Sequence, residues 1–288
     1  MSTPSLDVRD APQLAQPRVG LLAAAKQVDL SADVRWGNGV QWLPELHPVA
    51  SHGFGARALK CQPSSIAHTS TDRATIESAK PFMIYAFDWS TSLDHQPSGG
   101  RDWEGRARRL LLGTQSYSIA AELWLGTIAQ AESLAENYYL AKTGPTVVTS
   151  GAVRADRALA VLDKKLAGSL MNGQGMIHCT VEVLDQLVHQ QTVVRDGQAW
   201  MTPFGNVVVA DGGYAGSRIG AAGEWMVGTS LVEITLGQPD VMRTSTPEEW
   251  RAAFDYTVND VIVWAQREVL VMHHPHIVFA AAQVDLTA

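Results

Sequence analysis

The clearest periodicity in the sequence begins at Trp103. Apolar residues at Trp103, Ala107, Leu110, Leu111, Tyr117, Ala121, Trp124, Leu125 and Ile128 share one helical stripe. The spacing predicts a helix from Trp103 that continues through Ala131, Leu134 and Ala135. Some 30 residues would span about 45 Å, which suggests a spine. Gly144-Pro145 breaks the pattern, and 146–149 reads as a short linker or strand. A second helix over 154–171 places Leu159, Leu162, Leu166 and Leu170 on one face, and Asn172-Gly173 closes it. After a short strand at 176–179, Thr180 suits an N-cap and Glu182 the first turn of a third helix. That helix runs to about Gln191 and buries Leu184, Leu187 and Val188.

Beyond it the texture becomes β. Strands are predicted at 207–210, 224–229, 231–236, 256–272 and 277–286, with Thr202-Pro-Phe-Gly-Asn206 and Asp211-Gly-Gly-Tyr-Ala-Gly216 as turns. Phe82-Met-Ile-Tyr-Ala-Phe87 reads as a buried strand, followed by a loop over 88–100. No repeat of fixed period is visible, and helices and strands mix without βαβ alternation, so the expected class is α+β.

Two stretches are poorly suited to a core. Residues 1–35 carry Pro4, Pro12 and Pro17 and one short apolar patch, and read as a tail that must lie on its own domain or on a neighbour. Residues 50–80 read as an extended excursion, in the manner of a two-stranded flap. Because the sequence starts at Met1, the expectation is that no amino-terminal piece has been removed.

Composition narrows the function. The 288 residues are 46% hydrophobic and only 18% charged, with net charge −7. Tight nucleic-acid binding needs many phosphate-contacting cations, and the only lysines are Lys26, Lys60, Lys80, Lys142, Lys164 and Lys165. Cys61 and Cys179 have no metal-ligand spacing and read as free buried thiols. No apolar run is long enough for a membrane span, and none reads as a secretion signal.

The search for chemistry yields little. Gly-x-Ser-x-Gly is absent. Gly213-Tyr-Ala-Gly216 lacks the Gly-Lys-Ser/Thr of a phosphate loop, and 218–223 does not sit between a clear strand and helix. His273, His274 and His276 form a histidine cluster that could recruit Asp285 as a metal site, but Pro275 interrupts it, and a surface or interface cluster is the plainer reading. His178 and His189 read as packed or surface residues. Glu104, Arg106, Arg108 and Arg109 read as a solvated face. No catalytic, cofactor-binding or metal-ligating residue is assigned.

Three stretches in combination resemble a known family. They are the long helix with Glu122-Leu-Trp-Leu-Gly126, the helix leading into Gly175-Met-Ile-His178, and Trp200-Met-Thr-Pro-Phe-Gly-Asn206 followed by 207–210 and Gly212-Gly-Tyr-Ala-Gly216. From about residue 80 onward the chain resembles major capsid proteins of tailed phages of actinobacteria, with the Hong Kong phage-type capsid fold. The resemblance implies an amino-terminal arm at 1–40 and an extended loop region at 41–82. It implies a peripheral domain with its spine helix at 83–174, an axial domain at 175–245, and a return to the peripheral domain at 246–288. It further implies homo-pentamers and homo-hexamers in an icosahedral shell around double-stranded DNA, assembled in the host cytoplasm and ending in the virion. Portal and scaffolding or decoration proteins would be partners, and DNA contact would be non-specific. An encapsulin-type compartment would give the same pattern, and the histidine cluster leaves a metal-dependent enzyme as the reading from another class. Only about 35 residues precede the first Trp, so scaffolding is expected to be absent or separate. Some relatives cross-link a Lys to an Asn, and no such bond is assigned to Lys60 or Lys80.

Overall fold

The computed structural model describes residues 20–29, 40–42, 77–91, 102–127, 137–141, 145–217, 222–242, 254–255 and 260–287. In chain order the elements are α1 (Leu21–Ala24), β1 (Lys26–Asp29), β2 (Val40–Trp42), β3 (Glu77–Ala79), β4 (Phe82–Thr91), α2 (Trp103–Leu125), β5 (Thr146–Val147), α3 (Ala155–Ser169), β6 (Gly175–Cys179), α4 (Val181–His189), β7 (Val194–Asp196), β8 (Ala199–Met201), β9 (Val207–Ala210), β10 (Glu224–Ser230), β11 (Glu233–Leu236), β12 (Asp240–Val241), β13 (Phe254–Asp255), β14 (Asp260–Met272) and β15 (Phe279–Val284). The class is α+β, as expected. The expectations for 1–19, 43–76 and 128–136, with Lys60 and Cys61, lie outside the described residues.

The chain forms two units. One draws on Tyr85–Gln115 and Pro239–Gln266, the other on Arg18–Ile84, Ser116–Gln238 and Arg267–Ala288. In the first, Asp102 caps α2: its Oδ1 accepts from the Gly105 N–H at 2.8 Å. Arg106 departs from the expected solvated face. Its guanidinium bonds Asp88 of β4 at 2.6 Å and lies over the Trp103 ring. Strand β12 pairs antiparallel with β14 at Asp240 and Gln266, and β13 does so at Phe254 and Val261.

The second unit holds the main core. Its seven-stranded sheet runs β5-β15-β10-β6-β9-β8-β7. Strand β6 lies between β10 (antiparallel) and β9 (parallel), and all five of its residues are buried. A strand covered on both faces carries mainly apolar side chains, and His178, the polar residue of β6, is met by buried partners. Helix α3 packs Ala158, Leu159, Leu162 and Leu166 onto this sheet with Ile177, Met226 and Ala280. Helix α4 begins as expected, with Thr180 Oγ1 accepting from the Val183 N–H. The exit of α3 differs in detail: the left-handed residues are Met171 and Asn172, ahead of Gly173, and the Asn172 N–H returns to the Ala167 carbonyl.

The structure refines several expectations. Of the stretch read as a tail that must lie on its own domain or on a neighbour, residues 20–29 lie on their own domain. Leu21 is fully buried, and β1 pairs in parallel with β11, from Lys26 against Glu233 to Asp29 against Leu236. Strand β4 is not buried on both faces: Phe82, Ile84 and Ala86 point inward, Met83, Tyr85 and Phe87 outward, and the strand continues to Thr91. Helix α2 is interrupted after Leu125, where Gly126 takes a left-handed conformation (φ 65°) that other residues resist; Thr127 is again helical, and the expected continuation through Ala131, Leu134 and Ala135 lies outside the described residues. The buried stripe of α2 keeps Ala107, Leu111 and Trp124 of the expected one but shifts around Tyr117. Ile119, Ala120 and Leu123 are inside with Trp124, whereas Tyr117 is 59% exposed. The excursion after residue 42 returns to its start, for β2 and β3 pair antiparallel from Val40–Ala79 to Trp42–Glu77.

Gly213 packs on this part of the helix. Its backbone lies against α2 so closely that a β-carbon would meet the Tyr117 carbonyl oxygen and come within 2.6 Å of the Ala121 nitrogen. Gly213→Ala is therefore expected to cost about 1–3 kcal/mol, the usual range for overpacking. Gly168→Ala, with open space around it, serves as the control and should leave the urea unfolding midpoint unchanged or raised.

Candidate functional site

Three buried polar junctions organise the second unit, each at a motif singled out in the sequence. The first is the Asp211-Gly-Gly-Tyr turn. Asp211 Oδ2 accepts from the Leu21 N–H at 2.9 Å and from the Ser116 hydroxyl at 3.0 Å, while Oδ1 accepts from the Gly213 N–H at 3.0 Å. Below it the Trp124 indole donates to the Ser217 carbonyl, and its ring meets Tyr214 with centroids 5.0 Å apart. The stretch that mimicked a phosphate loop is thus a docking turn: its Gly213 amide is engaged by its own aspartate, which also accepts from Ser116 of α2.

The second junction is the Thr202–Asn206 turn. Asp163 Oδ1, buried on α3, accepts from the Asn206 side-chain amide at 2.7 Å and from the Thr202 hydroxyl at 3.1 Å. The Asn206 side-chain oxygen Oδ1 accepts from the Gly175 N–H at 2.7 Å. Burial pushes the Asp163 carboxyl upward, and the bonds from Asn206 and Thr202 oppose that shift. The turn is held rigid from behind while Phe204 projects from it, 76% exposed.

The third is His178, fully buried on β6. The Thr229 hydroxyl donates to the Ser230 carbonyl at 2.8 Å, so its oxygen is left to accept from His178 Nε2–H at 2.9 Å. Nδ1 then accepts from the Tyr214 O–H at 2.9 Å. Every group is satisfied with a neutral ring, and a second proton would displace the tyrosine hydrogen. Burial pushes the imidazole down to about 3, and the nearby His273 adds to the effect.

The histidine cluster does not converge. His273 is buried, with Nε2 at 3.2 Å from the Tyr138 carbonyl. Burial pushes it down to about 4, the Tyr138 contact opposes, and His274 adds to the depression. His276 is exposed against the Tyr138 hydroxyl and ring. The His274 backbone N–H bonds Ser230 Oγ. Asp285 is engaged by Thr287. Among the described residues no group of three or more His, Cys, Asp or Glu side chains could hold a metal ion. Cys179 is a free, buried thiol pushed up to about 12 by burial and by Glu224.

No protein-family model matches the sequence, and no curated protein does. Solved structures match over nearly the whole chain. The capsid of an empty GTA particle aligns with 99% of this chain and 94% of its own, at TM-score 0.58 and 13% identity. A structure of Gordonia phage Cozz aligns over 99% and 91%, at TM-score 0.54 and 10% identity. The holo-SrpI encapsulin complex from Synechococcus elongatus aligns over 100% and 98%, at TM-score 0.50 and 8% identity. The fold is therefore of the class seen in capsid and encapsulin structures. More particularly, it is the Hong Kong phage-type major capsid fold that the sequence motifs resemble.

The buried histidines make acid the weak point of this fold. Both stay neutral when folded, whereas the unfolded chain protonates them near the ordinary value of 6.5. Their contribution is complete above about pH 6.5 and is lost as pH falls toward 4 and 3, at on the order of 1 kcal/mol per pH unit for each ring. Urea midpoints of the subunit should drop steadily between about pH 7 and pH 4.5, and His178→Asn should flatten that slope. A midpoint independent of pH would contradict the assignment.

Proposed function

We propose that this chain is the major capsid protein of a tailed phage: a structural subunit, not an enzyme, that assembles into pentamers and hexamers of an icosahedral shell around double-stranded DNA. The observation that carries the reading is the capsid fold spanning 99% of the chain. The surface agrees with it. Tyr85 and Phe87 stack on the outward face of β4, and Phe204 and Val194 stand exposed in the second unit. Exposed apolar side chains of this size suit burial against other copies.

On this reading 1–40 serves as the arm and 41–82 as the extended loop reaching over neighbours. Residues 83–174 form the peripheral domain, 175–245 the axial domain, and 246–288 the return. Portal and scaffolding or decoration proteins are its other partners, contact with DNA is non-specific, and the shell is assembled in the host cytoplasm before it becomes the virion. The likeness to an encapsulin favours one second reading, a protein compartment with enzyme cargo in place of DNA.

Electron microscopy of the purified protein, with light scattering, tests both. Closed polyhedral particles are expected, and nucleic acid or protein inside them separates capsid from compartment. A subunit that stays monomeric at every concentration and salt would count against a shell. Because Leu21, Leu22 and Ala25 are buried and 26–29 pair with β11, the part of the arm that is tested is 1–19, by deletion. The truncated subunit should melt like the parent yet fail to close into stable particles. Normal particles would refute the arm.

A further inference from the structure

The second unit contains a groove of about 760 Å³ that none of the junctions above uses. One wall is the outer face of α3, with Val161, Lys164 and Lys165. The other is the turn ahead of β15, with His276, Ile277 and Phe279. The chain carries 29 Asp and Glu against 22 Lys and Arg, yet no Asp or Glu lines this groove among the described residues. Two of the six lysines stand together here, both exposed, and neither makes an ion pair among the described residues.

The end of the groove is a sheet edge. Strand β5 contributes Thr146 to the lining, both of its residues are exposed, and among the described residues it pairs only with β15. An extended chain laid there gains backbone hydrogen bonds from an open edge. Its apolar side chains would meet Val161, Ile277 and Phe279, and its carboxylates the two ammonium groups. A nucleic-acid backbone fits poorly, because it would find two cations and an apolar floor where it needs a run of cations.

We infer that this groove receives an extended acidic segment of a neighbouring copy of the same chain. The inference rests on the shell reading, which sets many copies side by side. The net charge of −7 means that each copy carries surplus carboxylates for the lysines of the next.

The test uses particles assembled from equal amounts of unlabelled and nitrogen-15-labelled protein. A carbodiimide then joins amines to carboxylates already in contact, and mass spectrometry reads the linked peptides. The expected result is a mixed-isotope peptide that joins Lys164 or Lys165 to an Asp or Glu. The charge reversal K164E/K165E should leave the thermal melt of the subunit unchanged and reduce particle yield at least tenfold. Particles that form normally from the reversed variant would overturn the inference, as would mixed-isotope links elsewhere with none at these lysines. Both outcomes leave the shell reading standing. Failure of the parent protein to form particles both alone and with its scaffolding partner would remove the shell reading and this inference with it.

Discussion

Buried between the amino-terminal turn, the middle of the long helix and the loop after β9, the Asp211 carboxylate accepts three hydrogen bonds from neutral donors. A charge held this way gains from its donors and costs heavily if one is withdrawn. Much of the second unit is arranged around it. It fixes where Leu21 enters the core, and so where β1 can meet β11. It holds Gly213 against α2. Asp163 repeats the device on α3, where it braces the Thr202–Asn206 turn. The unit is thus tied together by polar groups placed where loops must meet helices, with the apolar sheet as the surface they are pinned to.

That division explains what could be read in the sequence. The helices at 155–169 and 181–189 and the strands β6, β9, β10 and β11 were legible, because periodicity and caps are local properties. The capsid-type fold was legible through motifs that turn out to be the junctions themselves. Asp211-Gly-Gly-Tyr and Thr202-Pro-Phe-Gly-Asn206 are distinctive because their geometry tolerates few substitutes.

Other features depended on partners far along the chain. Residues 20–29 look like tail because their stability comes from Glu233–Leu236 and from Asp211, about 200 residues away. The hairpin of β7 and β8 was missed because Val194–Asp196 has no buried residue to mark it. Phe82–Phe87 offered six apolar residues in a row, and such a run cannot reveal that one face is left bare. The histidine cluster looked like a site because three rings lie within four residues, while a turn at Pro275 sends them to different surroundings. His178, read as a packed or surface residue, proved to be the centre of a hydrogen-bond chain whose partners Tyr214 and Thr229 are 36 and 51 residues away.

The position of β15 sets an order of events in folding. It lies between β10, antiparallel, and β5, parallel, and its partner Thr146 on β5 is 134 positions earlier in the chain (280 − 146). Closing loops of that size is slow compared with forming a helix. Until β15 slots in, the sheet is two fragments, β10 shows an open apolar edge, and β5 has nothing to lie against. The outer rim of the sheet therefore comes into being only in a subunit that has finished folding. An unfinished chain has no rim to offer, which makes completion of the sheet a form of proofreading on what may join an assembly.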